Sequence, residues 1–245
     1  MTEILDIAKK DGRWTECPAC KEISITTKLK ENLSICPHCD FHFRIGPQDR
    51  MMMTCGSDGF KGIEFSLSGK GFSGREEGFR SYKASIKGQA CIIGVMDFSF
   101  MGGTMGTALG QSVISMLDYS SREKTPAVVF CASGGVRVQE GIWGLMQMLR
   151  TVYKKNISGT PLITVYTDPC YGGVTASFSS HADFIIAEKG ARIGFAGPRV
   201  IETTTHAELP EDFQTASRML TNGFVDAVVH RRDLPQTLSH ILKWL

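Results

Sequence analysis

Eight cysteines divide into two groups. Four form a pair of knuckles, Cys17-Pro-Ala-Cys20 and Cys36-Pro-His-Cys39, while Cys55, Cys91, Cys131 and Cys170 stand singly. Zinc takes four thiolates in a tetrahedron, and each C-x-x-C turn presents two sulfurs from a tight knuckle. About fifteen residues separate the knuckles, the spacing of a zinc ribbon, so Cys17, Cys20, Cys36 and Cys39 are expected to hold one zinc ion. A four-sulfur shell leaves no open position, so that zinc is structural. The competing reading is a pair of redox CxxC motifs, which rarely come in twos at ribbon spacing. His38 and His42 flank the second knuckle and are expected to be exposed and not to ligate.

The second chemical signal is glycine at successive strand ends. Phe100-Met101-Gly102-Gly103-Thr104-Met105-Gly106 follows a strand pattern and opens a helix. Ser133-Gly134-Gly135 and Asp168-Pro169-Cys170-Tyr171-Gly172-Gly173 do the same. Glycine lets a ligand approach the backbone closely, and the first amides of a helix have no partner inside it. Together they offer donors to a carbonyl oxygen that becomes an oxyanion. Packing alone explains one such turn; three in one half of a chain point to a site. Other nucleotide and hydrolase signatures are missing: the sequence has no Walker loop, no H-E-x-x-H and no G-x-S-x-G. Gly69-Lys70-Gly71-Phe72-Ser73-Gly74 matches G-x-G-x-x-G, but without the strand, helix and ribose carboxylate of a dinucleotide site. The six histidines form no catalytic cluster. His181 follows the helix that begins at the third turn, where a structural role outweighs a substrate-orienting one.

The elements that must position these turns alternate. Strands are expected at Ile23–Thr27, Ala90–Phe98, Pro126–Cys131, Leu162–Tyr166, Phe184–Ala187, Arg192–Phe195 and Ala227–Val229. Helices are expected at Gly110–Ser121, Gln139–Tyr153, from Val174, at Thr215–Asn222 and at Leu234–Leu245, with Met51, Met52 and Met53 on a connecting helix. Alternation of this kind means an α/β fold with a largely parallel sheet. The domains read as a leader over 1–13, a ribbon over 14–45 and a catalytic domain over 46–245.

Composition narrows the classes. A chain of 245 residues with 42% hydrophobic and 21% charged residues can build a core, which excludes wholesale disorder. Four thiolates and one Zn²⁺ bring the formal charge from +2 to about 0, which argues against a nucleic-acid partner. No apolar run is long enough to span a membrane, and the N-terminal MTEILDIAKKDGRW has no signal-peptide core, so the expected location is the cytoplasm.

Taken as a set, the ribbon, Phe98–Gly106, Ser133–Glu140, Leu145–Met148, Thr167–Phe178 and Ile193–Glu202 resemble the β subunit of the bacterial and plastid acetyl-CoA carboxylase carboxyltransferase. The resemblance covers the ribbon and nearly everything from residue 88 onward. It implies a crotonase-like spiral of ββα units behind an N-terminal four-cysteine zinc ribbon. It implies transfer of a carboxyl group from carboxybiotin, held on a biotin carboxyl carrier protein, to acetyl-CoA, giving malonyl-CoA. An α-type subunit of similar fold is the implied partner, in an α2β2 assembly with the active site between the two chains. The backbone amides of Gly134 and Gly135 are then expected to hold the enolate oxygen. Gly102, Gly103, Gly172 and Gly173 would shape the thioester and biotin pocket. Arg199 would contact a CoA phosphate or a partner chain, with a plain surface ion pair as the equal alternative. Biotin itself takes the α-proton in this reading, so no side-chain base is needed.

Some residues depart from the family pattern. The segment 46–88 is shorter and richer in glycine, the chain ends early at Trp244-Leu245, and Val136 and Val138 stand where alanine and methionine are expected. Trp143 and His181 also lie near the implied pocket. These departures leave room for a specialised paralogue with another acyl thioester, on CoA or on an acyl-carrier protein. Two other classes compete. A stand-alone crotonase-fold malonyl-thioester decarboxylase, or an enoyl-thioester isomerase or hydratase of a secondary-metabolite pathway, would use the same oxyanion site. An isomerase or hydratase needs a carboxylate, for which Glu140 is the nearest candidate, read here as helix-forming or interfacial. A ribbon-mediated RNA- or DNA-binding protein is the non-enzymatic alternative.

Overall fold

The computed structural model describes residues 13–64 and 78–245. The expected leader, apart from Arg13, and the Gly69–Gly74 string lie outside them. The chain divides into two compact units, Met1–Ile45 and Gly46–Leu245.

In the small unit, β1 (Trp14–Glu16) pairs antiparallel with β2 (Ile23–Ile25). The strand expected through Thr27 stops at Ile25, because α1 (Thr26–Glu31) begins there and its turn buries Leu29. His38 is exposed, as expected, but His42 is not. Only 8% of His42 is accessible, because it lies opposite Ile35 in an antiparallel bridge at the heart of the unit.

The large unit is a seven-stranded sheet between helices. In chain order it contains α2 (Pro47–Cys55), β3 (Phe60–Ile63), β4 (Phe79–Ile86), β5 (Gln89–Met96), α3 (Thr107–Glu123), β6 (Ala127–Ser133), α4 (Gly141–Ser158), β7 (Leu162–Cys170), β8 (Phe184–Glu188), α5 (Pro198–Thr205), α6 (Ala216–Thr221), β9 (Ala227–Val229) and α7 (Leu234–Leu242). Spatial order follows sequence order from β3 to β9. The first three strands are antiparallel and the rest are parallel. The β4–β5 hairpin turns at Lys87-Gly88, both at positive φ, the conformation that matches strand twist in a two-residue turn. No helix among the described residues is long and apolar enough to cross a membrane.

Period-two alternation divides the core. Ala127, Val129 and Cys131 of β6 face Leu109, Val113, Met116 and Leu117 of α3. Val128 and Phe130 face the other way, onto Met51 of α2 and Leu234, Leu238 and Leu242 of α7. Every residue of β6 is buried, as expected for a parallel strand covered on both faces. The expected strand at Arg192–Phe195 is reduced to single bridges, Cys170 with Ile193 and Arg192 with Thr215. β7 correspondingly runs on to Cys170.

Buried charge closes the face under α2. Glu188 ends β8 and takes Arg50 Nη2 at 2.7 Å and Arg231 Nε on its other oxygen. All three side chains are at least 95% buried. The Arg50 guanidinium also lies 5.0 Å from the Phe130 ring centroid. Burial lowers Arg231 to about 10, so it still carries its charge at neutral pH. Glu188→Ala leaves two buried guanidiniums without their counter-ion. It is expected to reduce unfolding free energy in urea by about 3–5 kcal/mol; a loss below about 1 kcal/mol would show that the triad does not hold this face together.

Candidate active site and metal centre

Parallel strands β5, β6 and β7 bring their carboxyl ends to one edge, where ligands bind in open α/β sheets. The three glycine turns meet there, and backbone hydrogen bonds lace them together. Gly134 N–H donates to Gly102 O at 2.8 Å, and Tyr171 N–H donates to Ser133 O at 2.7 Å. Ser133 Oγ donates to Gly103 O at 2.7 Å and accepts from Gly135 N–H at 3.0 Å. Gly172 N–H donates to Phe195 O at 2.8 Å, which draws the loop ahead of α5 to the same edge.

Each glycine pair has a steric reason. Gly135 and Gly172 have positive φ, at 119° and 65°, and their backbones touch. A Cβ on Gly172 would fall 2.8 Å from Gly135 Cα, and one on Gly103 would fall 2.1 Å from Ala132 O. Side chains at these positions would push the turns apart.

The lacing changes which amides can serve a substrate. Gly134 and Gly135 are the expected donors, but both N–H groups are already bonded within the turns. Val136 lies between two bonds to Met105: Met105 N–H donates to Gly135 O at 2.8 Å, and Arg137 N–H donates to Met105 O at 3.0 Å. Among the described residues, no acceptor within these turns takes the amides of Val136 or Gly173. The two residues are neighbours, since a Cβ on Gly173 would fall 2.3 Å from Val136 Cγ2. The signal that finds them is long-range pairing, which local sequence does not reveal.

Nearby acids are committed elsewhere. Glu140 Oε2 accepts Thr107 N–H at 2.6 Å and Thr107 Oγ1 at 2.5 Å, capping α3, while Oε1 pairs with Arg137 at 3.1 Å. Asp97 accepts Ser99, and Asp168 accepts Arg192. The thiols beneath the turns are not nucleophiles. Burial pushes Cys170 up to about 12 and Cys131 well above the usual thiol range. His181 is exposed and meets Asn156 of α4 through Nε2 at 2.7 Å. Arg199 is exposed on α5, a helix with no buried residue. Such an arrangement can stabilise negative charge on oxygen with neutral backbone donors.

Helix α4 leaves the Ser133–Glu140 turn with an inverted distribution. Its inward stripe is Gly144, Gln147, Thr151 and Lys155, packed against α3. Ile142, Leu145, Leu149, Tyr153 and Ile157 line the outward face, each 54–64% exposed. An apolar stripe of this length on a helix marks an interaction surface.

In the ribbon, the four cysteine sulfurs lie within 4.8 Å of one another. Cys17 and Cys39 Sγ are 3.6 Å apart, and Cys20 and Cys36 Sγ are 3.8 Å apart. Tetrahedral bonds of about 2.3 Å to zinc put sulfurs about 3.8 Å apart. The set therefore fits a four-thiolate metal.

The carboxyl transferase domain model matches residues 83–245. The acetyl-coenzyme A carboxylase carboxyl transferase subunit beta of Novosphingobium aromaticivorans is 39% identical over 256 residues, covering 96% of this chain and 90% of that protein. The subunits beta/alpha protein of Natranaerobius thermophilus is 41% identical over 252 residues; the match covers 95% of this chain but 42% of that one. Among solved structures, transcarboxylase 12S with hydrolysed methylmalonyl-coenzyme A bound shares the fold at a TM-score of 0.72 and 23% identity, over 82% of this chain and 42% of that chain. With glycine turns at the carboxyl edge of a parallel sheet and a match over most of its length, this chain belongs to the carboxyl transferase family, among relatives of the acetyl-coenzyme A carboxylase β subunits.

Proposed function

We propose that this chain is the β half of a carboxyltransferase that forms a malonyl thioester from acetyl-CoA or a related acyl thioester. The observation that carries this is an edge laced from three glycine turns, at which Val136 and Gly173 are in contact and neither amide finds an acceptor within the turns. Losing the α-proton moves charge onto the thioester oxygen. Two backbone N–H groups held by two interlocked turns stabilise that charge without reorganising. The enolate carbon then forms the new bond to the carboxyl group. Carboxybiotin, delivered on a separate carrier protein, would supply that carboxyl group as CO2 by breaking its N1–C bond, and the nitrogen so freed would take the α-proton before the enolate carbon bonds to the CO2. Gly134 and Gly135 act by shaping the turn, Gly102 and Gly103 by receiving it, and Gly172 by letting the third turn approach. Arg199 lies where an exposed cation could meet a CoA phosphate or a partner.

An α-type subunit is the proposed partner, in a crotonase-like α2β2 assembly. Two observations support it: the outward apolar face of α4 starts just past the Ser133–Glu140 turn, and one relative carries beta and alpha in its name as a single protein. The metal proposed for Cys17, Cys20, Cys36 and Cys39 is zinc, in a structural role.

Release of CO2 from malonyl-CoA tests the activity. It is expected to need both the α-type subunit and biocytin; release by this chain alone would overturn the proposal in favour of a self-sufficient decarboxylase. In the complete system, Gly172→Ala is expected to reduce kcat/KM by about 10²-fold or more by forcing the turns apart. Gly134→Ala meets only ordinary contacts at 3.5 Å and 3.8 Å and should stay within about threefold. Equal losses in both would argue against the steric assignment.

Leu149→Glu on α4 is expected to weaken association with the α-type subunit by at least about 30-fold in sedimentation, since it puts a charge in the centre of the stripe. Unchanged association would remove α4 from the interface. For the ribbon, metal analysis should find one zinc per chain. Chelation should unfold residues 13–45 by circular dichroism and leave the cooperative unfolding of the large unit in place.

A further inference from the structure

We infer that Arg137 and Glu140 form a positioning pair that aims the Val136 amide into the site. The inference rests on the proposed role of that amide.

The peptide joining Gly135 to Val136 is planar and trans, so its C=O and N–H point in opposite directions. Met105 N–H holds the Gly135 carbonyl at 2.8 Å. The Val136 N–H must therefore point away from the 104–107 loop. Flipping that peptide would reverse the donor and put a carbonyl oxygen where the enolate oxygen belongs. Gly135, with φ at 119°, brings no side chain to oppose a flip. Resistance comes from the groups on that carbonyl, Met105 N–H and Ser133 Oγ at 3.3 Å, and two side chains grip the 104–107 loop that supplies the first.

Arg137 reaches that loop from one end. It is 2% exposed, its Nη2 donates to Thr104 O at 3.1 Å, and its Nε reaches Thr104 Oγ1 at 3.4 Å. Glu140 holds the other end through Thr107 N–H and Oγ1, at 2.6 Å and 2.5 Å. The two side chains join at 3.1 Å, so one clamp grips the loop on both sides of Met105. Gly106 makes room for it: a Cβ there would fall 2.0 Å from Glu140 Oε1. Neither side chain lies on the course of the reaction; both act through the loop that holds the Gly135 carbonyl.

The test compares two CoA ligands on the assembled complex of this chain with its α-type subunit. One is a nitromethyl thioether of CoA, whose nitronate form mimics the enolate; the other is a non-reactive acetyl-CoA analogue with the sulfur replaced by methylene. Wild type should bind the nitronate far more tightly. Arg137→Met should reduce that preference by about 10²-fold while leaving affinity for the ground-state analogue within about threefold. A purely structural role would weaken both ligands together or neither. If wild type shows no preference for the nitronate, the proposed function itself fails. If wild type prefers it and Arg137→Met keeps the full preference, the positioning role is overturned. Arg137→Lys and Glu140→Gln keep most of the volume and guard against misfolding of the methionine variant. They should lose the preference in part, and full retention by both would also overturn the role.

Discussion

The contact between Gly135 and Gly172 constrains everything at the carboxyl edge of the sheet. These residues come from turns after different strands, and their backbones meet with no side chain between them. Such an approach is available only to glycine, and positive φ at both positions adds a second reason for it. Once the turns touch, Tyr171 N–H can reach Ser133 O, and Ser133 Oγ can reach Gly103 O. Three segments far apart in sequence then behave as one rigid rim. Rigidity matters because an oxyanion site gains its advantage from donors that need not move when charge appears.

The same rim explains the odd character of α4. This helix starts directly after the Ser133–Glu140 turn and must leave at an angle the turn dictates. It packs on α3 closely enough that a Cβ on Gly110 would fall 2.5 Å from Gln147 Oε1. Small and polar residues therefore occupy the inward stripe, with Arg150 bridging Gln147 and Gln111. The apolar residues are left for the outside. A helix built this way gives up core burial on its own chain in return for a surface beside the site.

Much of this was legible in the sequence, and the exceptions share a cause. Glycine pairs after apolar runs announced the turns, and paired CPxC knuckles announced the ribbon, because both signals are local. Apolar periodicity gave α3, β6 and β7. Ile142, Leu145 and Leu149 recur at helical spacing, but a period identifies a face and not its direction, and this face turns outward. The partners of the amides at the second turn were hidden from local sequence as well. Gly134 and Gly135 are the residues that stand out, yet the partners of their N–H groups come from Gly102 and the Ser133 side chain. His42 and the Arg50–Glu188–Arg231 triad belong to the same class. Their burial depends on residues that meet only after folding, and no spacing rule brings Arg50 to Glu188.

A site made from backbone amides has consequences for how it can be altered. Peptide N–H groups do not titrate in the physiological range, so the charge state of the rim is fixed across ordinary pH. The buried thiols add nothing, since burial holds Cys131 and Cys170 protonated. Changes can reach the reaction only through geometry. A substitution must widen a glycine contact, loosen the loop that holds the Gly135 carbonyl, or reshape the wall beside the donors. The Val136 side chain does the last of these. It packs against Gly173 and, together with Met148, occupies the space a larger residue at Gly173 would need. Substitution at position 136 can therefore reshape that wall without removing its backbone N–H, because every residue except proline carries one.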